Sequence, residues 1–330
     1  MLLYAVGVKS DEQRRSQGGC IALCKSEDLI NWTYEKPFYD PKMYITMECP
    51  ELFKMGEYWY LVFSTFSDQF TTHYRISKNW NGPWEIPDDD VFDTRADYAI
   101  KTASDGKRRF AFGWIASKYG NTDFGPWEWG GTMNFHEIIQ NSKNGELRIK
   151  AIPEVLDYFS KEIELKKETL YNCKMVQAQD GVSVESDTLG ALLYPLEGDT
   201  FALDMVIKPE RYHEFGIALH VDKELETGYF LRMNLKSISC MGYVAKRRTG
   251  KISVADKGRC SLSDRNCKKN CPKAEEYRVH IIKEKDICVV YINDEIVLST
   301  RMYNHKDGYA GIYVVQGNVK LIQYKEKRSE

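Results

Sequence analysis

The segment Met47-Glu48-Cys49-Pro50-Glu51-Leu52-Phe53 sets a carboxyl at the entry of an apolar, aromatic run. Such a run reads as a β-strand, and Pro50, with no N–H to donate, halts the ladder on one side of it. At the inner end of a propeller strand the Glu48 side chain would point into a central channel. Residue types alone favour a plainer reading, a surface glutamate at a strand edge. Two other groups carry reactive atoms. Tyr39-Asp40-Pro41 precedes Glu48 on the approach to the same strand and reads as a turn, because Asp-Pro is a common turn initiator. Cys260, Cys267 and Cys271 are spaced C-x6-C-x3-C. Three thiolates can hold zinc with a fourth ligand, but there is no Cys-x-x-Cys pair and no histidine at finger spacing. Free thiols in a long basic loop are the expectation there.

The elements that must position these groups are strands. Helical periodicity is nearly absent, and short β-rich runs alternate with Gly, Asn and Asp turns. Examples are Tyr58–Phe63, Arg109–Trp114 and Ile287–Ile292. The one fair helix candidate lies around 153–166. A weak repeat marks the first half: Cys24-Lys25-Ser26-Glu27-Asp28-Leu29-Ile30-Asn31-Trp32 is followed about 51 residues later by Ile76-Ser77-Lys78-Asn79-Trp80-Asn81-Gly82-Pro83-Trp84. In both, a strand ends, a polar turn follows and a tryptophan starts the next strand. A period near 50 with several strands per unit fits β-propeller blades; chance similarity among aromatic-rich hairpins is the alternative. From about residue 167 the repeat is lost and longer alternating strands take over, among them Thr200–Ile207, Glu214–His220 and Tyr229–Met233. An Asn293-Asp294 hairpin turn near the end completes the pattern of a β-sandwich.

Composition excludes several classes. With 43% apolar and 28% charged residues the chain is an ordinary globular one, long enough at 330 residues for two domains. Its 21 Tyr, 14 Phe and 7 Trp favour strands and offer rings that stack on sugars. The formal net charge is −2, and Lys246-Arg247-Arg248 is too short a run to make a nucleic-acid surface. No stretch approaches the roughly 18 apolar residues of a membrane span. Met1-Leu2-Leu3-Tyr4-Ala5-Val6-Gly7-Val8 reads as a buried strand, not as a signal peptide. The nine cysteines, an odd number scattered over the chain, point to a reducing, cytoplasmic compartment.

Glu48-Cys49-Pro50 followed by Leu52-Phe53 resembles the acid/base motif of glycoside hydrolase family 32, the invertases, levanases and inulinases. Further matches follow in the family's order. Asp97-Tyr98-Ala99, then Asp105-Gly106-Lys107-Arg108-Arg109 and Phe112-Gly113-Trp114, is similar to a later blade, although the family's Phe between the Asp and the Tyr is missing. Trp127-Glu128-Trp129-Gly130-Gly131, His136-Glu137-Ile138 and Pro153-Glu154-Val155 resemble the last blade and its exit. Tyr291-Ile292-Asn293-Asp294, Ser299–Tyr303 and Gly308–Tyr313 resemble the family's C-terminal module.

The resemblance implies an all-β fold: the last three or so blades of a five-bladed β-propeller in 1–152, a connection of helical character in 153–166, and a β-sandwich in 167–330. It implies a retaining, two-carboxylate hydrolysis of a fructoside such as sucrose, levan or inulin, with no cofactor and no metal. Glu48 would be the acid/base, Trp114 a platform for the fructosyl ring, Asp97 a carboxylate binding sugar hydroxyls, and Tyr98 a further substrate-side residue. In the family the nucleophile stands in Asn-Asp-Pro and a second aspartate in Arg-Asp-Pro; neither tripeptide occurs here. The family's Arg-Asp-Pro would fall just ahead of Met1, as if the chain began inside the third blade. The expectation is therefore a glycosidase chain weak or inactive alone, completed by a second chain or by self-association. A catalytically inactive carbohydrate-binding or assembly protein is the alternative.

Overall fold

The computed structural model describes residues 2–7, 18–66, 70–94, 97–233, 238–244 and 274–329, the side chains of 2–7 and 238–244 excepted. Lys246–Arg248 and the Cys260, Cys267 and Cys271 group lie outside the described residues. Among the described cysteines, Cys20, Cys24, Cys49, Cys173 and Cys288 are in no disulfide. No helix of the described residues is long and apolar enough to cross a membrane.

The chain divides into two compact units. The first holds three antiparallel sheets, the blades that the spacing of the hairpins predicts. One contains β1 (Leu2–Gly7), β2 (Gly19–Lys25) and β3 (Thr33–Tyr39); the next contains β4 (Glu48–Met55), β5 (Tyr58–Thr65) and β6 (Thr71–Ser77). The third contains β7 (Asp97–Ser104), β8 (Arg109–Lys118), β9 (Trp127–Gln140) and β10 (Leu147–Lys150), in the order β10-β9-β8-β7. Gly56, at φ +57°, and Gly106, at φ +94°, turn the β4–β5 and β7–β8 hairpins, a backbone conformation that L side chains adopt at a cost. Tyr39-Asp40-Pro41 leaves β3 in a non-strand connection where Lys42 Nζ donates to the exposed Asp40 at 2.5 Å, as the turn reading expects.

The second unit opens with a short helix, α1 (Pro153–Tyr158), which has proline at its N-terminal turn. Its strands are β11 (Lys161–Glu162), β12 (Thr169–Tyr171), β13 (Lys174–Ala178), β14 (Gly181–Leu196), β15 (Thr200–Arg211), β16 (Glu214–Val221), β17 (Thr227–Met233), β18 (Ile238–Val244), β19 (Tyr277–Glu284), β20 (Ile287–Ile292), β21 (Ile296–Arg301) and β22 (Gly308–Arg328). The 21-residue β22 pairs with β16 along its first half and with β15 along its second, while β14 runs along its other side. One long strand thus joins the layers of the sandwich around a core that includes Leu203, Phe215, Ile217, Leu231, Ile281 and Val290.

Two boundaries differ from those expected. The segment 153–166 is helical only to Tyr158; Lys161–Glu162 pairs with Lys327 and Arg328 of β22, which makes it part of the sandwich. Residues 117–130, expected in the first domain, belong to the second unit. Buried Asp123 explains this: its carboxylate accepts from the Tyr229 hydroxyl at 2.8 Å and from the Tyr303 N–H at 2.8 Å.

Candidate active site

Glu48 is the first residue of β4, and the pairing steps from Glu48↔Ser64 directly to Glu51↔Val62. One extra residue is therefore looped out of β4 at Cys49-Pro50. Cys49 takes φ +50°, a strained value for a residue with a side chain, and Pro50 could not have joined the ladder in any case. A bulge of this kind bends the strand and re-aims the side chain beside it. Lys101 secures it: Nζ donates to the Cys49 carbonyl at 2.7 Å and the Pro50 carbonyl at 2.8 Å. Burial lowers the Lys101 pKa, partly offset by the Glu51 carboxylate.

A matching irregularity sits on β7, where pairing steps from Tyr98↔Trp114 to Lys101↔Phe112 and Ala99 takes φ +55°. The two bulges bring their neighbouring side chains together: the Tyr98 hydroxyl donates to Glu48 Oε2 at 2.6 Å. Tyr98 is 1% exposed, and burial, reinforced by the hydrogen bond to Glu48, pushes its pKa well up, so it stays a neutral donor. The Tyr98 ring stacks on Phe70 at 4.2 Å between centroids and meets Trp114 edge-on at 5.6 Å. Glu51, three residues beyond Glu48, accepts from the Thr102 N–H at 2.8 Å and its hydroxyl at 2.6 Å, so β4 and β7 are stitched along their length.

The structure therefore brings Glu48, Tyr98 and Trp114 together and separates Asp97 from them. Successive strand residues face opposite ways, and Asp97 is wholly buried on the other face. Its Oδ2 accepts from Asn134 Nδ2 at 2.8 Å and lies 3.1 Å from His136 Nε2. Burial raises its pKa against the opposing pull of His136. Asp97, expected to bind sugar hydroxyls, is directed at Asn134 and His136 and has no exposed surface. Sequence reasoning missed Phe70 and Lys101. Nothing in a lone Phe or Lys marks it; each acts through a neighbour about 30 to 50 positions away in the chain.

Residues 4–150 match the family model described as Glycosyl hydrolases family 32 N-terminal domain. Solved structures with the same fold include a sucrose-6-phosphate hydrolase from Lactobacillus gasseri, at 15% identity and TM-score 0.62, covering 97% of this chain and 62% of that one. A glycoside hydrolase family 32 protein from Bifidobacterium adolescentis is 15% identical at TM-score 0.61, covering 99% and 50%. Fructan 1-exohydrolase IIa from Cichorium intybus is 13% identical at TM-score 0.60, covering 94% and 67%. The chain thus spans between half and two thirds of the length of these relatives.

Proposed function

We propose that this polypeptide is a β-fructosidase-type glycoside hydrolase chain in which Glu48 is the acid/base. The observation that carries this reading is the Tyr98–Glu48 hydrogen bond of 2.6 Å beside Trp114, within the region that matches the family 32 domain. Glu48 would protonate the leaving glycosidic oxygen and then take a proton from the attacking water. Tyr98 fixes the carboxyl from one side, and the Trp114 and Phe70 rings offer apolar faces to a fructosyl ring. Sucrose, levan and inulin are the substrates to test.

A retaining mechanism needs a second carboxylate about 5–5.5 Å from the first. Since neither Asn-Asp-Pro nor Arg-Asp-Pro occurs in these 330 residues, we assign the nucleophile to further sequence or to a second chain. The same observation favours a second reading, a carbohydrate-binding protein without hydrolysis.

The deciding experiment measures fructose release from sucrose, inulin and levan, together with calorimetric binding of the same sugars, for the wild type and Glu48→Gln. Release that falls by about three orders of magnitude or more in the variant supports the acid/base role. Release that survives the change overturns it. Binding without release selects the second reading, and neither binding nor release removes both.

A further inference from the structure

On the buried face of β7 four polar groups crowd one point. His136 Nε2 lies 3.1 Å from Asp97 Oδ2, 3.4 Å from Asp93 Oδ2 and 3.0 Å from the side-chain amide of Asn134. That amide is itself 2.8 Å from Asp97 Oδ2. A neutral or protonated imidazole offers at most one N–H at that nitrogen, enough for one acceptor. Ligands bound to a common ion at about 2.0–2.2 Å stand roughly 3 Å apart in octahedral and roughly 3.5 Å apart in tetrahedral geometry. The separations found here have the lengths of such edges, and one ligand atom each from Asp93, Asp97 and His136 lies within 4.8 Å of the others. The amide oxygen and nitrogen of Asn134 exchange by a simple flip, which turns the cluster into two carboxylates, an amide oxygen and an imidazole nitrogen.

Two further observations are independent of those distances. Asp97 Oδ1 has no hydrogen-bond partner although the residue is 0% exposed. Removing a carboxylate from water costs several kcal/mol per ion, and this oxygen finds no hydrogen bond in return. The second observation is the route Asp97 takes. β8 lies between β7 and β9 in the sheet, so Asp97 must pass over it to reach Asn134 and His136. It passes at Gly113, where a Cβ would stand 2.3 Å from Asp97 Oδ1. The missing side chain of Gly113 opens that route.

We propose that Asp93, Asp97, Asn134 and His136 form a buried site for a divalent metal ion of the zinc or manganese type. The donors are oxygen with one imidazole and no sulfur, a set that suits Zn2+ or Mn2+ and not a soft ion such as Cu(I). The ion ties β7 to β9 across β8 and fixes the strand whose next residue, Tyr98, holds Glu48. Its role is positional, and it stands apart from the reading of Glu48 as an acid/base.

The full chain is stripped with chelator, loaded with MnCl2 or ZnCl2, desalted and analysed for metal by mass spectrometry. Wild type is expected to retain about one equivalent and to melt several degrees higher with the metal than without it. Asp93→Asn and His136→Ala are each expected to weaken Mn2+ binding at least about tenfold. Manganese is the decisive probe because thiolates such as Cys260, Cys267 and Cys271 favour zinc. A folded wild type that keeps neither metal overturns the proposal, whatever the variants do. So does Mn2+ retained undiminished in both variants.

Discussion

The sandwich buries a continuous apolar core reaching from Val184 to Leu321, whereas the blades set buried polar side chains such as Thr72, His73 and Arg75 among buried apolar ones such as Ile21, Leu61 and Phe63. Arg75 shows the second strategy. It is 0% exposed and donates to the Tyr39 hydroxyl at 2.9 Å, the Tyr44 hydroxyl at 2.7 Å, the Tyr74 carbonyl at 2.8 Å and Asp90 at 2.5 Å. Its guanidinium also lies 5.0 Å over the Phe63 ring. Apolar packing is non-directional and forgives small shifts; a hydrogen-bonded network fixes positions but is costly to break. The lesson is that the region carrying Glu48 is held by directional contacts, which suits a site that must hold groups within a fraction of an ångström.

This contrast makes graded predictions. Arg75→Ala leaves Asp90 with His73 alone, takes the donor from two tyrosine hydroxyls and is expected to cost about 3–5 kcal/mol; urea denaturation of the purified variant measures it. Leu203→Ala opens a cavity in the sandwich and is expected to cost about 2–5 kcal/mol, while Leu203→Met should cost less than about 1.5 kcal/mol. If Arg75→Lys proves as mild as Leu203→Met, the blades are not held by directional contacts and the comparison fails. Thr102→Val removes the hydroxyl donor to Glu51 and keeps the backbone N–H one, and should cost about 1–3 kcal/mol in urea denaturation.

The smallest effect is the pH dependence of Asp90. Burial pushes its pKa up, but the hydrogen bonds and charges of His73 and Arg75 outweigh this and leave it below the ordinary carboxylate value. A depressed pKa means stability that is present above the unfolded-state value and lost as pH falls through the folded value. Wild type should therefore lose stability on acidification more steeply than Asp90→Asn, read from denaturation midpoints between neutral and acid pH. Equal slopes would remove Asp90 from the account.

Much of this was legible in the residues. Alternating aromatic runs, Gly and Asn-Asp turns and the change of character near residue 167 determine an all-β chain with blades first and a sandwich after, because strand period and turn chemistry are local properties. Glu48 could be singled out because Glu48-Cys49-Pro50 and the motifs after it resemble a family's set in its order; residue types alone left it a glutamate at a strand edge. Its neighbour could not. Whether Asp97 or Tyr98 faces Glu48 depends on the parity of β7, and the two bulges at Cys49 and Ala99 that set this parity occupy backbone conformations with no sequence mark. The same holds for the meeting of Asp93, Asp97, Asn134 and His136, which needs two strands to be brought across a third at Gly113. Local sequence decided what the elements are; only the tertiary pairing decided that Tyr98 meets Glu48 while Asp97 meets Asn134 and His136.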